Sequence, residues 1–193
     1  ANPDDDAVAV APADSDVNYI ISDLTLGTKL NVKTRQLDLI ELLSGSEYAA
    51  QFVGGTAISC VLLPNNYHHF HAPVSGEIVE SGELDGALFG VVDGNNFVNR
   101  FNLGRGTTDF SVFERFHRAY FVIKTERHGY VAVVPVGLNT ISAIHTSLTC
   151  GRSKMVPKGT KPVSVKKGEE LGYFSYGGSL VILLFQAGVL PAV

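Results

Sequence analysis

The sequence predicts a mainly β domain of the α+β kind, a β-sandwich carrying one or two short helices. Three observations lead there. The 193 residues hold 20 Gly and 8 Pro, a punctuation suited to many tight turns. Short runs rich in Val, Ile, Tyr and Phe recur between Gly, Asn, Asp or Pro. Helical spacing of apolar residues shows in one short stretch alone. A chain of this length is expected to form one domain, and it buries enough surface to fold without disulfide or metal staples.

Taken in order, the predicted strands are Val17 to Ile21, Ala57 to Leu63, Gly76 to Val79, Ala87 to Val92, Ala119 to Lys124, Tyr130 to Val136, Ile141 to His145, Gly172 to Tyr176 and Leu180 to Phe185. Between the first two, Leu37, Leu39, Ile40, Leu42 and Leu43 fall on one helical stripe, with Thr34 as the predicted N-cap and Gly45 as the stop. Asp93 to Asp109 carries Gly94, Asn95, Asn96, Gly104 and Gly106 without periodicity and is predicted to be a loop.

Composition also excludes function classes. The formal charge is −4, and the 15 Lys and Arg are scattered, so no stripe exists to neutralise nucleic-acid phosphates. The longest apolar run, Leu180 to Phe185, is six residues, against the ~20 that a helix needs to cross a bilayer. Ala1 to Asp6 includes three consecutive aspartates and lacks the basic start and apolar core of a signal peptide, so it reads as a cut or processed end. Cys60 and Cys150 are far apart and outside any CxxC spacing, which fits small buried hydrophobes better than a zinc site or a redox pair.

Two segments, His71-Ala-Pro-Val-Ser-Gly-Glu-Ile-Val79 and Val165-Lys-Lys-Gly-Glu-Glu-Leu-Gly-Tyr-Phe174, resemble the strand-turn elements of the lipoyl/biotinyl hammerhead. Their glycines serve positive φ or close backbone approach, and their alternating apolar residues face a core.

Chemistry concentrates in two places. Tyr67-His-His-Phe-His71 holds three of the six histidines. In an extended segment His69 and His71 share one face and His68 points to the other, so the three cannot all ligate one metal without a turn. Metal binding would need Glu77 or Asp14 as a further ligand; structural histidines and acid-base chemistry are the other readings. Gly177-Gly178-Ser179 precedes an apolar strand, as a plain hairpin would. The serine becomes a nucleophile only with a base to take its proton and an acid to orient that base, for which His71 and Asp14 are candidates.

Four collinear blocks resemble the phosphatidylserine decarboxylase family, whose members carry a pyruvoyl group. Val10-Ala-Pro-Ala-Asp14 is similar to its P-A-D-G block, with Ser15 for Gly. Gly54-Gly-Thr-Ala-Ile-Ser-Cys-Val-Leu-Leu-Pro-Asn-Asn-Tyr67-His-His-Phe-His71-Ala-Pro-Val-Ser-Gly76 is similar to its L-x-P-x-D-Y-H-R-F-H-x-P-V-x-G block, with Asn66 for Asp and His69 for Arg. His128 to Gly137 and Val165 to Phe185 are similar to its third and terminal blocks. The resemblance covers nearly the whole chain and implies a single catalytic domain over residues 1–193, trimmed at one or both ends.

The resemblance further implies self-cleavage between Gly178 and Ser179, with Asp14, His71 and Ser179 as the cleavage triad and His68 acting in decarboxylation. Ser179 is then the precursor of a pyruvoyl ketone, which forms a Schiff base with a substrate amine in the manner of pyridoxal phosphate, with neither pyridoxal phosphate nor a metal required. The implied substrate has a primary amine beside a carboxylate: phosphatidylserine, converted to phosphatidylethanolamine, or a free aromatic amino acid such as tryptophan in soluble relatives. A homodimer, peripheral contact with a membrane and a cytoplasmic setting accompany the family. Leu180 stands where the family has Thr, which leaves a homologue that never matures as an alternative. A carrier module on the same scaffold is another, with Lys154 as its faint attachment point.

Overall fold

The computed structural model describes residues 5–32, 35–63, 65–84, 117–137, 143–146, 148–149, 152–153, 155–175 and 179–190. In chain order these form β1 (Asp16–Ile21), β2 (Leu30–Val32), β3 (Arg35–Leu37), α1 (Leu39–Leu42), a 3-10 helix (Glu47–Phe52), β4 (Thr56–Leu62), β5 (His69–His71), β6 (Gly76–Leu84), β7 (Arg118–Lys124), β8 (Tyr130–Val136), β9 (Ala143–Thr146), β10 (Leu148–Thr149), β11 (Arg152–Ser153), β12 (Val163–Val165), β13 (Glu170–Ser175) and β14 (Ser179–Phe185). The mainly β prediction holds. The predicted strand at Ala87 to Val92 and the loop at Asp93 to Asp109 lie outside the described residues, as do Tyr176, Gly178, Cys150 and Lys154.

A seven-stranded antiparallel sheet, ordered β1-β4-β14-β8-β7-β6-β12, forms the middle layer. A three-stranded sheet, β5-β13-β9, covers one face. Phe70, Ile144, Leu171 and Phe174 from this small sheet meet Ile78, Phe121, Ile123, Val131, Val133, Val181, Leu183 and Phe185 from the large one. The other face is covered by the β2-β3 ribbon and the two short helices. There Leu30, Leu37, Leu39, Leu42 and Phe52 meet Val122, Ala132, Val134, Leu180, Ile182 and Leu184. Strand periodicity of two explains the division, since alternate residues of β7, β8 and β14 go to opposite cores. It also explains why Leu180 to Phe185 is uniformly apolar: β14 is a central strand, buried along its whole length by a layer on each side.

The helix differs from its sequence prediction at the start. Leu37 ends β3, and the N-cap is Asp38 rather than Thr34, which lies outside the described residues. Asp38 Oδ1 accepts from the Glu41 N–H at 2.9 Å while Glu41 Oε2 accepts from the Asp38 N–H at 3.1 Å, a reciprocal capping box already written in Asp38-Leu-Ile-Glu41. At the other end Ser44 and Gly45 take positive φ, so the chain turns at the predicted stop. Among the described residues no helix is long and apolar enough to cross a membrane.

Candidate active site

Ser179 opens β14 opposite Leu62 of β4 and is 2% exposed. It has the same parity as Val181 and Leu183, so its side chain faces the layer that holds the small sheet. From that layer His68 meets it: His68 Nδ1 lies 3.0 Å from Ser179 Oγ across 111 residues of sequence. His68 immediately precedes β5, and its carbonyl accepts from the Phe174 N–H at 2.9 Å, which ties it to β13.

The second ring nitrogen decides the polarity of this contact. His68 Nε2 lies 3.0 Å from the Leu63 carbonyl oxygen. A carbonyl only accepts, so Nε2 carries the hydrogen and donates it. A neutral imidazole then keeps its lone pair on Nδ1, facing the serine hydroxyl, which donates to it. A base, its orienting partner and a buried hydroxyl therefore stand in line, with a peptide carbonyl in the place that a carboxylate takes in serine hydrolases.

The other predicted residues lie in separate contacts. His71 Nδ1 is 3.1 Å from the Gly168 carbonyl, and the His71 N–H donates to the Pro12 carbonyl at 2.7 Å. Gly168 has φ +80°, the conformation for which the turn between β12 and β13 needs glycine. Asp14 is exposed, and its Oδ2 accepts from Asn66 Nδ2 at 3.5 Å. The structure thus brings His68 to Ser179, and sets Asp14 and His71 on other partners. Gly178 lies outside the described residues.

His69 and His71 share one face of β5, as the extended reading predicts. Both stack on Tyr67, with ring centroids at 4.3 and 6.4 Å. Tyr173 pairs with His69 on one side and His145 on the other and stacks with both, at 5.2 and 4.7 Å. His69 Nδ1 also lies 3.1 Å from Glu170 Oε2, close enough for an ion pair but off the line of a hydrogen bond. A row of aromatic and imidazole rings therefore runs across the outer face of the small sheet beside His68. Gly172, at its centre, is required by close approach: a Cβ there would meet the His145 carbonyl oxygen and the Phe70 ring.

Sequence reasoning missed the Leu63 carbonyl and Asn66. A main-chain carbonyl has no sequence mark of its own. Asn66 did carry one, as the position where the resembling block has Asp.

Comparison with known proteins identifies the family. The family model described as phosphatidylserine decarboxylase matches residues 1–193. A protein of Fusobacterium nucleatum named phosphatidylserine decarboxylase proenzyme is 31% identical over 179 residues, 93% of this chain and 52% of that one. A Brevibacillus brevis protein of the same name is 31% identical, covering 91% of this chain and 61% of its own length. Phosphatidylserine decarboxylase proenzyme 3 of Schizosaccharomyces pombe is 32% identical over 98% of this chain and 17% of itself. The chain spans about half the length of the bacterial relatives it matches. With the family model matched from end to end, the chain belongs to the phosphatidylserine decarboxylase family.

Proposed function

We propose that this chain is a pyruvoyl-dependent decarboxylase of phosphatidylserine that matures by cutting itself between Gly178 and Ser179. The observation that carries the reading is the 3.0 Å contact between Ser179 Oγ and His68 Nδ1, with Nε2 already engaged by Leu63. An alcohol is a weak nucleophile until a base takes its proton. His68 takes it as Oγ attacks the Gly178 carbonyl carbon. The same proton serves the departing Ser179 nitrogen as the C–N bond breaks, leaving an ester. Removal of the Ser179 α-proton then expels the upstream chain as a Gly178 carboxylate. Water hydrolyses the resulting dehydroalanine, through its imine tautomer, to ammonia and a ketone.

Ser179 suits this conversion because it sits 2% exposed between two neighbouring strands, in a place that excludes bulk water. The pyruvoyl group supplies an electron sink for the pair released when carbon dioxide leaves an amine-bearing substrate. His68 remains beside residue 179 to return a proton to the substrate carbon, the part that the resemblance gives it. In this reading it also takes the cleavage role that the resemblance gives to His71, because His68 stands at hydrogen-bond distance from Ser179 Oγ while the contact of His71 is with the Gly168 carbonyl.

Phosphatidylserine is the proposed substrate because the relatives carry its name. A peripheral meeting with lipid, a homodimer and a cytoplasmic setting belong to the same reading. The exposed ring row of Tyr67, His69, Tyr173 and His145 favours a second substrate reading, a free aromatic amino acid stacked beside the site. Carbon dioxide release from purified protein separates them: turnover of phosphatidylserine is expected, and turnover of tryptophan alone reverses the order. S179A is expected to stay one intact chain without activity; an S179A protein that still splits at this bond overturns the reading.

A further inference from the structure

We infer that a cavity at the end of the large sheet far from Ser179 binds a small zwitterion, one that joins a phosphate monoester to a primary ammonium. The inference stands apart from the proposed decarboxylation, since it uses none of the residues placed around Ser179.

The cavity has a volume of about 520 Å³, a size that holds a small ligand. Its lining comes from the turn between β7 and β8 (residues 125–128), the start of β6 with Ser75 before it, the end of β12 with Lys166 after it, and Asp6 of the N-terminal segment. Sheet register sets its place. Lys124 closes β7, whose first residue, Arg118, pairs with Val136, and Val136 pairs with Leu180 beside Ser179. Six residues of extended chain, ~20 Å, therefore lie between the cavity's end of β7 and the serine's.

The walls are held by the protein's own bonds. Lys167 is 9% exposed, and its Nζ donates to the Val8 carbonyl at 3.0 Å and to the Asp5 carbonyl. His128 Nε2 lies 2.9 Å from the Asp6 carbonyl oxygen, so the N-terminal segment is pinned from two sides. The Lys167 N–H donates to Ser75 Oγ at 3.1 Å, and the His128 N–H to Thr125 Oγ1 at 2.8 Å. A cavity with fixed walls loses little freedom when it is filled.

The charges give the chemistry of the ligand. Lys124, Arg127 and Lys166 line the cavity together with Asp6, Glu77 and Glu126, and all six are exposed. Among the described residues, none of these six side chains makes an ion pair. Even Glu77 and Lys124, which face each other across β6 and β7, stay apart, although opposite charges in register attract. A plain anion here would meet three carboxylates, and a plain cation would meet three basic groups. A ligand with both charges satisfies both sets. The three terminal oxygens of a phosphate monoester accept from the guanidinium fork and the two lysines, and a primary ammonium donates to the carboxylates.

The test titrates the full chain with O-phosphoethanolamine by calorimetry. Inorganic phosphate, ethanolamine, phosphocholine and glycerophosphoethanolamine serve as controls, each lacking one required feature. O-Phosphoethanolamine is expected to bind, and each control to bind at least about 10-fold more weakly, the loss when hydrogen bonds to charged groups go unmade. The exposed-site variants K124A/R127A and E77Q are each expected to weaken O-phosphoethanolamine by about 10-fold or more at an unchanged melting temperature, whereas S179A is expected to bind as the wild type does. No binding at millimolar ligand overturns the site, as does either cavity variant binding like the wild type, or loss of binding in S179A. Glycerophosphoethanolamine binding as tightly as the monoester would move the ligand to lipid headgroups, and any other control doing so would remove the zwitterion; both overturn the assignment. Absence of carbon dioxide release from the wild type, with this binding intact, overturns the proposed decarboxylation instead and leaves the site standing.

Discussion

Ser179 and Leu180 are neighbours in the chain and belong to opposite sides of the molecule. Ser179 faces the layer of the small sheet, where it meets His68, and the rings of Tyr67, His69, Tyr173 and His145 lie on the outside of that layer. Leu180 faces the ribbon and short helices, among Leu39, Leu42, Val134 and Ile182, in a core of mainly aliphatic side chains with Phe52 and Tyr120. One strand thus serves two layers with different duties. The first positions polar groups around a buried hydroxyl; the second holds β14 in place. The family's Thr at the position after the serine is replaced here by a residue on the holding side, so its loss removes no group from the face that carries His68.

The sharpest way to break this comparison is to damage the holding side alone. Ile182 is fully buried there, and I182A is expected to cost about 2–5 kcal/mol of stability. Urea unfolding measures that loss, while the cleavage rate of the folded protein should stay unchanged. A selective fall in cleavage with little loss of stability would place chemistry on the wrong side of the sheet.

Alkaline pH probes the same side through Tyr120. Burial, followed by the charge of Glu80 and the hydrogen bond it accepts, pushes the Tyr120 phenol up from 10.0 to about 12. The folded state therefore favours the protonated phenol. Its contribution is fully present below about pH 10 and is lost as pH rises through 12, amounting to roughly 2–3 kcal/mol. Thermal melts between pH 9 and 12 should fall more steeply for the wild type than for Y120F. Tyr19 and Tyr48, also raised mainly by burial, share the same direction and leave a residual slope. Equal slopes for the two proteins would remove Tyr120 as a contributor.

A smaller effect is expected from L180T, which restores the family's residue. It places a hydroxyl in an aliphatic core, costing about 1–3 kcal/mol, and should leave the cleavage rate unimproved. Faster cleavage of L180T would show that the second side reaches the chemistry after all.

Much of this division is legible in sequence, and the reasons for the rest are physical. β8 coincides with its predicted span because Tyr130 to Val136 is an apolar run bounded by glycines at 129 and 137. β14 was visible for the same reason, and its lack of alternation is what burial on both faces produces. β5 was not predicted as a strand, since His69-Phe-His71 is short and polar, and its pairing with β13 comes from the tertiary fold. The helix start was misplaced because Thr34 and Asp38 are both acceptable caps by type, and only Asp38 has Glu three residues on. The residue types of the site were legible from the motifs. Which histidine reaches Ser179 was not, because that depends on a strand register set 111 residues away and on a backbone carbonyl.

Intact mass of the wild-type chain beside H68A and H71A tests the central claim most directly. The wild type is expected to appear as two pieces, ending at Gly178 and beginning with a ketone-blocked residue 179, and H68A as one uncut chain. Cleavage of H68A at the wild-type rate, with H71A left uncut, would contradict the account and return the base to His71.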